Sequence, residues 1–136
     1  MATDTVNAKE QKYENELATL ALDICFRIHR LYGPGLFENV YEEIFCYELN
    51  KEDVYFERQA AIQLIHENIK LDAGFRADVI IDKTLLIEFK SVEMLANVHF
   101  KQVQTYLKLS NLKLGLLINF NHVYLKDGIH RIANNL

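Results

Sequence analysis

The chain predicts an α/β domain in which two helices precede a mixed central β-sheet and a further helix flanks it. Three observations carry that prediction. Apolar residues recur at helical spacing on both sides of a single Gly-Pro-Gly break; strand-like runs then follow in pairs around polar turns; and the nearly continuous apolar run Leu112–Phe120 lies beyond a third amphipathic stretch. At 136 residues this is one domain, 1–136, long enough to bury a proper core.

Residues 1–10 are polar and read as a flexible tail. Leu17, Leu20, Ala21, Ile24, Cys25, Ile28 and Leu31 then mark a long first helix, stopped at Gly33-Pro34-Gly35. A second helix is expected from about Phe37 to Lys51, burying Phe37, Val40, Tyr41, Ile44, Phe45 and Leu49. Glu38 falls in its first turn, where a carboxylate suits the helix dipole. Val54–Arg58 reads as a strand, and Ala61–Ile65 with Ile69–Leu71 as a hairpin about His66-Glu67-Asn68.

The next hairpin is Phe75–Ile81 with Leu85–Lys90 around Asp82-Lys83-Thr84. Its apolar runs carry Asp78, Glu88 and Lys90, of which Glu88 and Lys90 share a strand face. A three-residue turn pairs Ile81 with Leu85 and sets Asp78 opposite Glu88; a two-residue turn sets it opposite Ile87 instead. In the first register, two close carboxylates repel and call for a cation. A hard divalent ion answers that need, Mg²⁺ first, with Lys90 beside it to stabilise charge on a phosphate. The alternative is a structural ion pair of Lys90 with Glu88 or Asp78.

After Lys90, Ser91 suits an N-cap with Glu93 in the first turn, opening a helix to about Leu109. Its stripe would be Leu95, Val98, Gln102, Thr105, Tyr106 and Leu109, on which an amide needs partners. From Lys90 through this helix to Leu112, the connection has the length of a right-handed crossover between parallel strands. Val123–Leu125 and Ile129–Ile132 flank Asp127-Gly128, a hairpin signal.

Composition narrows the class. Half the residues are apolar and a quarter charged, and no apolar run approaches the roughly 20 residues of a membrane span. With no signal-peptide core either, a cytoplasmic protein is expected. Cys25 and Cys46 read as small buried residues, not a disulfide framework. The net charge of −4 argues against a nucleic-acid binder, yet Met94–Lys126 has no Asp or Glu and carries Lys101, Lys108, Lys113 and Lys126. That locally basic face is compatible with a phosphate backbone, or is simply a surface without acids.

Gly35-Leu36-Phe37-Glu38-Asn39-Val40-Tyr41 resembles the signature of the GxxExxY family, as do Gly33-Pro34-Gly35, Asp72–Asp78, Gln102–Leu107 and Gly115–Phe120. The resemblance runs from about Leu17 to Ile132. That family is grouped with the PD-(D/E)XK nuclease-like superfamily, and the resemblance implies its restriction-endonuclease-like core. It implies Asp78 as the first metal-binding acid, Glu88 and Lys90 as the E-x-K pair, and Glu38 as a helix acid supporting the metal. Gln102 and Tyr106 resemble the QxxxY motif of an exonuclease-like branch, which positions the site or contacts nucleic acid. Ala77 stands where the literal motif has proline. The implied activity is Mg²⁺-dependent phosphodiester hydrolysis on nucleic acid, DNA by default, with Mn²⁺ able to substitute. A homodimer is permitted. The alternative is a non-catalytic nucleic-acid or protein interaction module on the same fold.

Four other residues have two readings each. His29 caps the first helix or makes a polar contact near the site, and His99 faces solvent or phosphate. Tyr41 is a packing residue with a tethered hydroxyl in preference to a catalytic one. Arg76 is either an ion-pair partner of Asp78 or a phosphate clamp.

Overall fold

Two long strands form one side of the sheet. β1 (Phe56–His66) turns through Glu67-Asn68 into β2 (Ile69–Ile81), which returns antiparallel along it. The three strand segments expected between Val54 and Leu71 are thus one strand and the start of the next. Charged and polar residues of exposed β1 had hidden its continuity. Asp72 to Gly74 forms a bulge: the register shifts there, Gly74 sits at φ +75°, and the Asp72 carboxylate accepts the Gly74 N–H.

The computed structural model describes the backbone of residues 2–136 and the side chains of 12–136 other than Ala73. The sheet has five strands in the order β1-β2-β3-β4-β5. β3 (Leu85–Lys90) is antiparallel to β2, β4 (Leu114–Asn119) is parallel to β3, and β5 (Ile129–Ala133) is antiparallel to β4. Every residue of β4 is buried, as its unbroken apolar run requires of a central strand.

Helices cover both faces. α1 (Ala2–Tyr32) and α2 (Glu38–Leu49) pack on Val79, Ile81, Leu85, Ile87 and Phe89. α3 (Asn97–Ser110) lies against Ala77, Ile80, Leu86 and Leu117 on the other. The three-layer arrangement agrees with the expected class, two N-terminal helices included. α1 continues as helix through residues 2–10, where the sequence suggests a tail; that stretch holds no Gly or Pro to stop it. Among the described residues no helix is long and apolar enough to cross a membrane.

Phe37 is not in the core. It is the N-cap of α2 and 80% exposed. α3 starts later than expected, because Ser91 and Val92 are held by distant partners. The Ser91 hydroxyl donates to the Leu36 carbonyl, and the buried Asn119 side chain accepts the Val92 N–H and donates to the Val92 carbonyl. The buried face of α3 is Val103, Tyr106 and Leu107; Val98 and Thr105 are exposed and Gln102 is half-buried. Gly115 of β4 admits this helix closely, since a Cβ there would meet Val103 at 2.9 Å. Val123–Leu125 is not a strand. A 3₁₀ turn, Leu125–Gly128, takes its place, and Gly128 lies against the Asn119 backbone, where no Cβ fits.

Candidate active site

Gly33 and Gly35 hold φ values of +66° and +110°, which residues bearing a Cβ avoid. Tyr41 closes the loop between them. Its hydroxyl donates to the Gly33 carbonyl and accepts the Leu36 N–H, and its fully buried ring stacks on Phe120 with centroids 4.1 Å apart. Tyr41 is therefore a packing residue with a tethered hydroxyl, which fixes where α2 begins. The first residue of α2, Glu38, faces the last residue of β3: Glu38 Oε1 lies 3.9 Å from Lys90 Nζ.

The three-residue turn is present. Asp82 and Lys83 both have positive φ, Thr84 N–H donates to the Ile81 carbonyl, and Ile81 pairs with Leu85. The ladder holds through Ile80↔Leu86 and Val79↔Ile87 and then stops. Beyond it the side chains replace the backbone acceptors. Asp78 N–H donates to Glu88 Oε1 at 2.9 Å, and Phe89 N–H donates to Asp78 Oδ2 at 2.8 Å. Each carboxylate thus satisfies a backbone donor of the opposite strand, in the register the sequence favours for a shared site.

Two further residues join this pair. Glu42, one turn beyond Glu38, is 6% exposed and accepts Gln59 Nε2 at 2.7 Å and Arg58 Nε at 2.8 Å. The same Gln59 nitrogen lies 3.1 Å from Asp78 Oδ1 and so bridges the two acids. Gln59 has φ +50° in the middle of β1, where the pairing skips from Arg58↔Val79 to Ala60↔Ala77. The only advance signal for Glu42 was its spacing from Glu38; for Gln59 there was none.

The electrostatics follow from burial. Glu88 is 4% exposed, and burial first, then the Asp78 charge, pushes its carboxyl up to about 8; the Asp78 N–H and Lys90 oppose that rise and Glu38 adds to it. Asp78 rises to about 6, again chiefly through burial, with the Phe89 N–H opposing and the Glu42 charge adding. Lys90, with its 3.9 Å contact to Glu38, does not neutralise the pair. Burial also raises Tyr106, with the negative charge of Glu88 next and Asp78 behind it, which places this α3 residue beside the carboxylates. Gln102 Nε2 donates to the Tyr106 hydroxyl at 3.0 Å, so that amide has its partner on its own helix.

Not every expected residue converges here. Arg76 makes no ion pair with Asp78; it lines a small cavity of the β1–β2 ribbon with Ala61, Gln63 and Lys70. His29 Nε2 bonds the His122 carbonyl at 2.8 Å, a tether across the fold in place of a cap. His99 Nδ1 accepts the Ala96 N–H at the start of α3, a structural role neither of its expected readings included. Cys25 and Cys46 are both buried, and burial raises both thiols.

Among the described residues no three His, Cys, Asp or Glu side chains stand close enough to hold a metal ion. Asp78 and Glu88 still suit a hard divalent cation in kind. Both are oxygen donors, and among the described residues their buried charge lacks a contacting cation. Other oxygens would have to come from water or substrate.

Neither curated proteins nor solved structures yield a significant match. The sequence profile of the PD-(D/E)XK nuclease superfamily, by contrast, matches residues 15–132, a span that holds Glu38, Asp78, Glu88, Lys90, Gln102 and Tyr106. With most of the chain matched and an α/β mixed sheet carrying acids on adjacent strands, the protein belongs to the PD-(D/E)XK nuclease superfamily.

Proposed function

We propose that the protein hydrolyses phosphodiester bonds in nucleic acid, with DNA the default substrate, and that it is of the GxxExxY kind. One observation carries this reading: two buried carboxylates from β2 and β3 meet across the end of a broken ladder, with raised pKa values and a lysine two residues on. Stability alone gives no reason to bury such a pair. Mg²⁺, or Mn²⁺ in its place, held by Asp78 and Glu88, would supply Lewis acidity toward the phosphate and a more acidic bound water.

The chain's own residues do the rest. Lys90 presents its ammonium to the charge that grows on the phosphoryl oxygens as water attacks phosphorus and the ester P–O bond breaks. Glu38 holds that ammonium in place and would support a bound metal. Gln102 and Tyr106 form the opposite wall and align the substrate. Arg76, lying outside this cluster, serves at most as a distant phosphate contact.

A second reading has its own support: both Asp78 oxygens already accept hydrogen bonds, and among the described residues no third acid stands close enough to complete a metal-holding group with the pair. On that reading the protein binds nucleic acid or another protein without turnover. Isothermal titration of Mn²⁺ into wild type and Asp78→Ala separates the two. Saturable binding that the variant loses supports the nuclease. Silence from wild type, repeated with a non-cleavable oligonucleotide present, supports the binding module.

A further inference from the structure

Beside the carboxylates, α3 and β2 enclose a cleft of about 500 Å³ lined by Phe75, Val98, His99, Lys101, Gln102, Thr105 and Tyr106. That size lies within the usual range of ligand pockets. Its walls are mostly apolar, and its two aromatic rings, Phe75 and Tyr106, lie 5.7 Å apart at an interplanar angle of 43°. Phe75 precedes Asp78 by three residues on the same strand, and Tyr106 feels the charge of both carboxylates. The cleft therefore neighbours the acid pair, with Tyr106 between them.

Its polar groups sit at the rim. Gln102 spends one N–H on Tyr106 and His99 spends Nδ1 on the Ala96 N–H, which leaves the Gln102 carbonyl, His99 Nε2 and the Thr105 hydroxyl for a ligand. Lys101 has no carboxylate partner among the described residues, and the nearest acid in sequence is Glu93. A flat occupant with a π face, a polar edge and an attached anion satisfies all of this at once. A nucleobase on its sugar–phosphate is such an occupant.

We propose that this cleft is a base-binding subsite, taking one unpaired nucleobase against Phe75 and Tyr106 while Lys101 meets the adjoining phosphate. The proposal rests on the nuclease reading and narrows its substrate. A base inside a duplex is stacked and paired, so filling the cleft requires single-stranded nucleic acid or a splayed end. A binding preference for the unpaired strand follows.

The test is fluorescence anisotropy with two phosphorothioate-linked oligomers of equal length in Mg²⁺, one of thymidine and one abasic. Base stacking on an aromatic side chain corresponds to about a 5- to 160-fold change in affinity. Wild type is expected to bind the thymidine oligomer tighter by a ratio in that range. Phe75→Leu is expected to bring the ratio toward one with abasic affinity unchanged, and Phe75→Tyr to keep it. Should Phe75→Leu lose its fold by circular dichroism, Thr105→Met, which fills the cleft from an exposed helix position, carries the same expectation. Equal wild-type affinity for the two oligomers, or an undiminished ratio in the folded variant, overturns the subsite and leaves the nuclease reading standing. Binding of neither oligomer overturns both.

Discussion

Replacing Glu88 with glutamine should stabilise the protein and disarm it. The Gln carbonyl can still accept the Asp78 N–H that Glu88 Oε1 accepts at 2.9 Å, so the junction of β2 and β3 survives. What disappears is a buried negative charge. Because the Glu88 carboxyl is raised from its ordinary 4.5 to about 8, the folded state binds a proton that the unfolded state has released between those values. Its contribution is fully present below about pH 4.5 and is lost as pH climbs through 8. The whole interval corresponds to a ceiling of about 5 kcal/mol, and water at the mouth of the site reduces the expected gain to about 1–3 kcal/mol. For a chain this size that raises Tm by about 4–12 °C. The assay is thermal unfolding by circular dichroism of both proteins from pH 4.5 to 8.5 without divalent metal. The curves should nearly coincide at the acid end and separate steadily upward. A variant less stable than wild type at pH 8.5 would refute the claim that this carboxylate is held at a cost.

Other perturbations address single contacts. Lys90→Ala should abolish cleavage of a DNA substrate while leaving the circular dichroism spectrum unchanged, since the half-buried Lys90 ammonium makes its one ion pair among the described residues with half-exposed Glu38. Tyr41→Phe keeps the stack on Phe120 but strands the Gly33 carbonyl and Leu36 N–H; a loss of about 1–2 kcal/mol in urea unfolding is expected. Gln59→Ala removes the donor that lowers Asp78 and separates it from Glu42, so the Asp78 carboxyl should titrate still higher by carbon-13 NMR.

The central hairpin was legible because its information is local. Strand alternation fixes which side chains share a face, and a three-residue turn fixes the register, so Asp78, Glu88 and Lys90 could be grouped from the chain alone. The same holds for the bend at Gly33-Pro34-Gly35 and the helix after it. What escaped depends on contacts between distant segments. Ser91 has an N-cap's chemistry, yet its hydroxyl is taken by Leu36 and its neighbour Val92 by Asn119, so α3 begins six residues later. Gln59 and Glu42 lie 17 residues apart in sequence and meet only because the β1 backbone turns to positive φ at Gln59. Arg76 failed for a related reason. Alternation put it on the face of Asp78, but the pairing irregularity at Gln59 and Asp78 breaks that parity.

The way the acids hold the fold together also decides how they should be tested. Asp78 is both a charge beside Glu88 and the acceptor for the Phe89 N–H at 2.8 Å, so Asp78→Ala removes two things at once. It deletes a metal donor and leaves a backbone donor without its partner, which costs about 1–3 kcal/mol where water cannot reach. Asp78→Asn divides these effects. Its carbonyl can keep the Phe89 bond, while its amide, in place of Oδ1, gives up the Gln59 bond and faces the Glu42 carboxylate, which already presses on Asp78 electrostatically. If the metal role is genuine, both variants should lose Mn²⁺ binding by calorimetry, whereas only the alanine variant should melt well below wild type. An asparagine variant that binds Mn²⁺ like wild type would remove Asp78 from the metal site. Its carboxylate would then be a strand-to-strand fastener, and the broken ladder between β2 and β3 would need no catalytic explanation.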